Sequence, residues 1–138
     1  MTTAQTQTLV LWCCGCNKEV EARLADGRQI YPHRPDLFVR SFWRCDTCGN
    51  YVGGHWKSNT PLRPLGSIPT PALRLLRAGL HMKFDTLWKF RGVHRGELYR
   101  RVSEKFGRQY HAGEIRSAEE AKQVSAIIDQ IIIEQDWT

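Results

Sequence analysis

The sequence predicts an α+β chain: a small antiparallel β-sheet followed by a compact three-helix unit. Three observations carry that expectation. Two C-x-x-C motifs bracket a stretch in which apolar and polar residues alternate; a Pro-rich run follows; and the second half holds three segments whose apolar residues recur at spacings of three and four.

The cysteine motifs are Cys13-Cys14-Gly15-Cys16-Asn17 and Cys45-Asp46-Thr47-Cys48-Gly49, with 28 residues between Cys16 and Cys45. Two thiolates at C-x-x-C spacing grip one metal ion. The small residue after the second Cys allows the positive φ that turns backbone amides toward the sulfurs. Cys13, Cys16, Cys45 and Cys48 are therefore expected to close a tetrahedral zinc site, and four thiolates leave no position for a catalytic water, so the site is structural. Disulfides fit less well. The cysteine count of five is odd, and no basic segment precedes the apolar run Leu9 to Trp12, because the first basic residue is Lys18. A thioredoxin-like redox motif needs one C-x-x-C in a βαβ setting, whereas two motifs flank strand-like sequence here. Cys14 is the spare thiol, and His55 is the nearest alternative ligand in sequence.

In chain order, Met1 to Thr8 reads as a frayed polar terminus. Glu19 to Leu24 alternates, placing Val20, Ala22 and Leu24 on one face; Asp26-Gly27 suits a type I′ turn, and Gln29-Ile30-Tyr31 resumes as the second strand of a hairpin. Pro32 and Pro35 make the next stretch a connector. Leu37 to Arg44 reads as the strand entering the second knuckle. It carries Phe38, Arg40, Phe42 and Arg44 on one side, a stripe that either stacks on a single strand of nucleic acid or packs as core under the arginine stems. Asn50 to Trp56 closes the sheet. Residues 1–58 thus form a four-cysteine zinc ribbon, too small to be robust alone. Zinc offsets that deficit, with apparent binding energies on the order of 10 to 16 kcal/mol.

Residues 59–70 are a Pro-rich linker or extended strap, and residues 71–138 a basic helical domain. Thr70 as N-cap and Pro71 at the first helical position open a helix to about Lys89, with Leu73, Leu76, Leu80, Phe84 and Leu87 on one face. A second helix runs from about His94 to Phe106 through Leu98 and Val102, stopped by Gly107. Ser117 and Glu120 have capping-box spacing before a third helix, which displays Ala121, Val124, Ile128, Ile131 and Ile132. His81, His94 and His111 have no metal-ligand spacing and read as structural or surface groups.

Charge is uneven along the chain. Residues 1–58 hold 7 Lys/Arg against 5 Asp/Glu, residues 59–110 hold 11 against 3, and residues 111–138 hold 2 against 6. The basic middle favours a polyanionic partner, since binding phosphates releases condensed counterions. The candidate nucleic-acid contacts are Arg40 and Arg44 on the strand stripe, with Arg74, Arg77, Lys83, Lys89, Arg91, Arg95, Arg100 and Arg101 on the helices; solvated helix faces are the alternative. No apolar run approaches the roughly 18 residues a bilayer span requires. Thiols arranged for metal, without an export signal, lead to the expectation of a reducing cytoplasm. Paired carboxylates at helical spacing, a Gly-rich phosphate loop and a nucleophile with a plausible base are all missing, so an enzyme is not expected.

The first knuckle, Gly27-Arg28-Gln29-Ile30-Tyr31-Pro32-His33-Arg34-Pro35-Asp36-Leu37, Trp43-Arg44-Cys45-Asp46-Thr47-Cys48-Gly49, Pro64-Leu65-Gly66, Phe84-Asp85-Thr86-Leu87-Trp88-Lys89 and Arg95-Gly96-Glu97-Leu98-Tyr99 occur in succession. That succession resembles a family of short zinc-finger-containing proteins of bacteria, phages and prophages, from Trp12 to about Val124. The resemblance implies a zinc-binding protein of mobile-element origin and leaves its molecular role open. Two function classes lead: a zinc-binding, non-enzymatic nucleic-acid-binding protein, or a protein-binding adaptor or inhibitor of a host nucleic-acid machine, such as a polymerase or a defence nuclease complex in the manner of an anti-CRISPR. Oligomeric state is not legible.

Overall fold

Strand pairing begins earlier than the alternating pattern suggested. In the computed structural model, which describes residues 7–134, β1 (Thr8–Cys13) runs antiparallel to β2 (Lys18–Asp26), with Leu11 opposite Val20 and Cys13 opposite Lys18. The first knuckle is therefore itself the hairpin turn. Thr8, expected at the end of a frayed terminus, opens β1; the rest of that expectation, apart from Gln7, lies outside the described residues. Gln7 accepts a backbone hydrogen bond from Leu24 N at 3.0 Å.

The predicted Asp26-Gly27 hairpin turn is not formed. Asp26 instead caps a four-residue helix, α1 (Gly27–Ile30). Gln29 N donates to Asp26 Oδ1 at 2.9 Å, and Asp26 N donates to Gln29 Oε1 at 3.0 Å. Asp and Gln three residues apart make a reciprocal capping box, and that local pairing outcompetes the turn. Gly27 is required for a different reason: a Cβ there would stand 1.6 Å from Leu37 O. The strand expected over Leu37 to Arg44 is also shorter than its pattern. Pro35–Leu37 form a single 3₁₀ turn, and only β3 (Ser41–Arg44) is extended.

β4 (Tyr51–Gly53) completes a sheet of order β1-β2-β3-β4, all neighbours antiparallel. Leu24, Trp43 and Val52 lie in register across three strands. One face of the sheet supplies the core of the first unit, Met1–Pro71: Cys13, Ala22, Trp43, Cys45, Val52 and Ile68 are buried, with Leu11, Val20 and Leu24 packed against them. Burying side chains such as Val52 and Ile68 contributes about 1.5–3 kcal/mol each.

The Pro-rich stretch 59–70 belongs to this unit as a strap along the sheet. Ile68 N donates to Trp12 O and Cys14 N to Ile68 O, both at 2.8 Å; Leu65 N donates to Gly53 O at 2.9 Å; Trp43 Nε1 donates to Leu62 O at 2.7 Å. Prolines remove donors, so such a chain lines a sheet edge with its remaining amides and does not enter the ladder. Ile68, wholly buried, is the side chain that a linker reading does not foresee.

The second unit, Ala72–Thr138, is helical. α2 (Pro71–Phe90), α3 (Arg95–Phe106) and α4 (Ala118–Glu134) follow the predicted spans closely. Leu73, Leu80, Phe84 and Leu87 of α2, Leu98 and Val102 of α3, and Ala121, Val124, Ile127, Ile128 and Ile131 of α4 are buried, joined by Tyr110 and Ile115 from the α3–α4 connection. His94 caps α3, its Nδ1 accepting from Glu97 N at 3.4 Å, and Gly107 ends it at φ 86°. Ser117 Oγ accepts from Glu120 N at 3.1 Å, but Glu120 reaches back one residue further than a capping box requires, accepting from Arg116 N at 2.8 Å. Among the described residues no helix is long and apolar enough to cross a membrane.

Candidate functional site

The hairpin topology brings the two knuckles together. Cys13 ends β1, Cys16 sits in the turn before β2, and Cys45 and Cys48 lie in the turn between β3 and β4. The four Sγ atoms all lie within 4.8 Å of one another, with Cys13 and Cys48 at 3.5 Å and Cys16 and Cys45 at 3.7 Å. Four sulfurs about 2.3 Å from one zinc ion, at tetrahedral corners, stand about 3.8 Å apart. The donor set and its spacing therefore fit one structural zinc ion, which supplies a cross-link between the two turns.

The backbone explains why these residues follow the cysteines. Asn17 and Gly49 are both in the left-handed region, at φ 56° and 78°, where Gly and Asn are the residues most easily accommodated. Gly49 N closes its turn onto Cys45 O at 2.8 Å. Gly15 is tightly surrounded, since a Cβ there would meet Asn50 Nδ2 at 2.7 Å and Cys48 Sγ at 3.5 Å. Burial pushes the Cys13 thiol up to about 12. Cys45 also feels burial, but the backbone N–H groups of Cys48 and Thr47 pull it down to about 7. These amides favour the thiolate that a metal requires. Cys14 lies outside the cluster, with its Sγ 3.7 Å from Ser67 Oγ. His55 is not in it either: its Nε2 stands 3.4 Å from Arg63 Nη2, and burial followed by the Arg63 charge lowers its pKa.

A four-stranded antiparallel sheet with four converging thiolates at its turns, followed by helices, defines a zinc-binding protein of the ribbon type. The chain belongs to the family described as zinc-finger-containing domain, whose model matches residues 9–132. No curated protein and no solved structure matches it.

The candidate nucleic-acid contacts are dispersed by the fold. The stripe expected along Leu37 to Arg44 is interrupted because Phe38 and Arg40 precede β3. Phe42 is buried edge-on to Tyr31 and Tyr51, with centroids 5.7 Å away in both cases. Arg44 does sit on a strand, directly between Arg23 and Tyr51 in register; Arg23 is held by Asp46 at 2.9 Å. Arg40 places its guanidinium 3.9 Å from the Trp56 ring centroid.

Among the helical candidates, Arg77 requires correction. It is buried at 8% exposure, and its Nε donates to Ile115 O at 2.8 Å. A buried carbonyl needs a donor, and Arg77 supplies one; it cannot also face a phosphate. Lys83 is bound to Ser125 and, at 2.5 Å, to Asp129. Arg100 is clamped between Glu97 and Glu104, and Arg101 lies 3.8 Å from Glu97. Arg74 is half-buried and Arg91 exposed. The acidic last third thus answers the basic middle: besides Lys83 and Asp129, Lys105 pairs with Glu134 and Arg108 with Glu120.

A smaller basic group flanks Trp88 at the corner between α2 and α3, where Lys89 also stands 3.7 Å from Asp85 and Trp88 Nε1 donates to the same carboxylate at 2.9 Å. Lys89 Nζ and Arg95 Cζ lie 5.3 and 5.4 Å from the Trp88 ring centroid, and Arg95 is also 5.4 Å from that of Tyr99. Sequence reasoning named Lys89 and Arg95 but not the rings beside them. The signal was present, a Trp-Lys pair with an arginine seven residues after the indole.

Proposed function

We propose that this chain is a zinc-stabilised, non-enzymatic nucleic-acid-binding protein of the cytoplasm. The observation that carries the reading is the α2–α3 corner, where Lys89 and Arg95 bracket Trp88 and Phe90 is 80% exposed. Cations beside a half-buried Trp88, with Phe90 exposed next to them, suit a nucleic-acid strand, since the charges neutralise phosphates while an open ring stacks on a base. The zinc site has a supporting part: four sulfurs fill the coordination sphere, so the metal holds the ribbon in shape and contributes no open position for chemistry. Thiols arranged for metal favour a reducing compartment.

The test is retention of a labelled oligonucleotide as salt is raised. Log affinity is expected to fall with log salt by roughly 0.7 to 0.9 for each phosphate neutralised, and Lys89→Glu with Arg95→Glu should flatten that slope. A salt-independent signal, or no binding at low ionic strength, refutes the reading. A second reading is an adaptor or inhibitor seated on a nucleic-acid-handling complex. It draws on Leu75 and Met82 of α2, exposed at 75% and 71%. In that case one stoichiometric protein partner survives nuclease treatment of a lysate.

A further inference from the structure

The first unit carries a second cation–aromatic site, unrelated to the zinc and formed by a loop that sequence reasoning treated only as the end of a strand. Trp56 is 44% exposed although it is among the largest side chains of the unit. The Arg40 guanidinium lies 3.9 Å from its ring centroid and Lys57 Nζ 5.1 Å from it. The ring borders a cleft of about 340 Å³ with Gly54, His55, Lys57, Ser58 and Leu65, a lining that contains no carboxylate. Asp36, which feels the Arg40 charge, is itself held by Arg34 at 2.8 Å.

The loop that presents Trp56 is braced from within. His55 N donates to Arg63 O and Trp56 N to Gly54 O, both at 2.9 Å, while Ser58 Oγ donates to His55 O at 2.7 Å and accepts from Thr60 N at 3.1 Å. Gly54 lies so close to Pro61 that a Cβ would meet Pro61 O at 2.2 Å. An exposed indole on a braced loop, with cations beside it and no carboxylate lining its cleft, is pre-organised for a planar, anionic ligand: little ordering remains to be done on binding. His55, whose pKa is lowered by burial and by Arg63, adds a largely neutral ring near physiological pH.

We infer that the face of Trp56 opposite the Arg40 guanidinium is a stacking platform for an unpaired nucleobase, with Arg40 and Lys57 neutralising the phosphates on either side of it. The site selects single strands, because the faces of paired bases are covered by their neighbours in the stack. It rests on the nucleic-acid reading above and deepens it by naming the form of the ligand.

The test measures binding of labelled oligothymidylate, and of the same length of duplex, to the zinc-loaded full chain and to its Trp56→Ala and Trp56→Phe variants, by fluorescence anisotropy at low salt. Stacking of one base on an aromatic side chain corresponds to roughly a 5- to 150-fold change in affinity. Trp56→Ala is expected to lose that much for the single strand and little for the duplex, with Trp56→Phe between the two. Unchanged zinc content and circular dichroism establish that the variants are folded. If wild type binds the single strand and Trp56→Ala binds it equally well, the platform is refuted while the nucleic-acid reading stands. If wild type binds neither form, both fall.

Discussion

Replacing Arg77 by Met tests the assignment of this residue to the core. Its side chain is buried on α2, and its Nε donates to the carbonyl of Ile115, 38 residues away, in the connection before α4. Met keeps most of the apolar stem and removes the donor, so packing is approximately retained while the Ile115 oxygen loses a charged partner. Hydrogen bonds to charged groups contribute about 1.5–3 kcal/mol. For a unit of this size each kcal/mol corresponds to about 4–8 °C in Tm. A fall of roughly 6–24 °C in the helical transition, followed by circular dichroism at 222 nm, is therefore expected. Oligonucleotide affinity, measured well below that transition, should be unchanged. An unaltered Tm together with a weakened, flatter salt response would show that Arg77 faces the phosphates, and the argument from burial would be wrong.

Four further predictions concern the metal and an orphaned hydroxyl. Chelating zinc should abolish the fold of the first unit, because apparent binding energies on the order of 10–16 kcal/mol are lost from a core that counts two ligands, Cys13 and Cys45, among its buried residues; helical ellipticity from the second unit should survive. Cobalt substituted for zinc should show the absorption of a tetrahedral four-thiolate site, and Cys48→Ala should remove it. Binding displaces protons from Cys13, pushed up to about 12, and from Cys45, near 7. Zinc affinity, measured against a competing chelator, should therefore weaken as pH is lowered, more steeply below 7 where Cys45 is protonated as well; an affinity that is flat from pH 8 to 5.5 would exclude thiolate ligation. Tyr110 is buried with its hydroxyl unpartnered among the described residues. Leaving such a group unmade costs about 1–3 kcal/mol, so Tyr110→Phe should hold or raise Tm; a drop of several degrees would reveal a partner.

Local chemistry determined much of this protein from sequence alone. Ligand spacing within a knuckle, a residue tolerant of positive φ after each second cysteine, Pro71 at a helix start, Gly107 at a helix end and the three-and-four spacing of Leu73, Leu76, Leu80, Phe84 and Leu87, all buried except Leu76 at 37% exposure, act over a few residues. They are visible without knowledge of the rest. The zinc ligands and the three long helices were legible for that reason.

Tertiary structure decided what depends on distant partners. It folded the Pro-rich run onto the sheet through Ile68, placed Arg77 beneath a carbonyl from another element, and matched Lys83, Lys105 and Arg108 with acids of α4. Charge counted along the chain placed the excess in residues 59–110. Counted by folded unit, residues 1–71 hold 8 Lys/Arg against 5 Asp/Glu and residues 72–138 hold 12 against 9, so the two carry equal excesses. The physical reason is range: propensity and ligand bite are set by neighbours in sequence, whereas burial and ion pairing are set by neighbours in space.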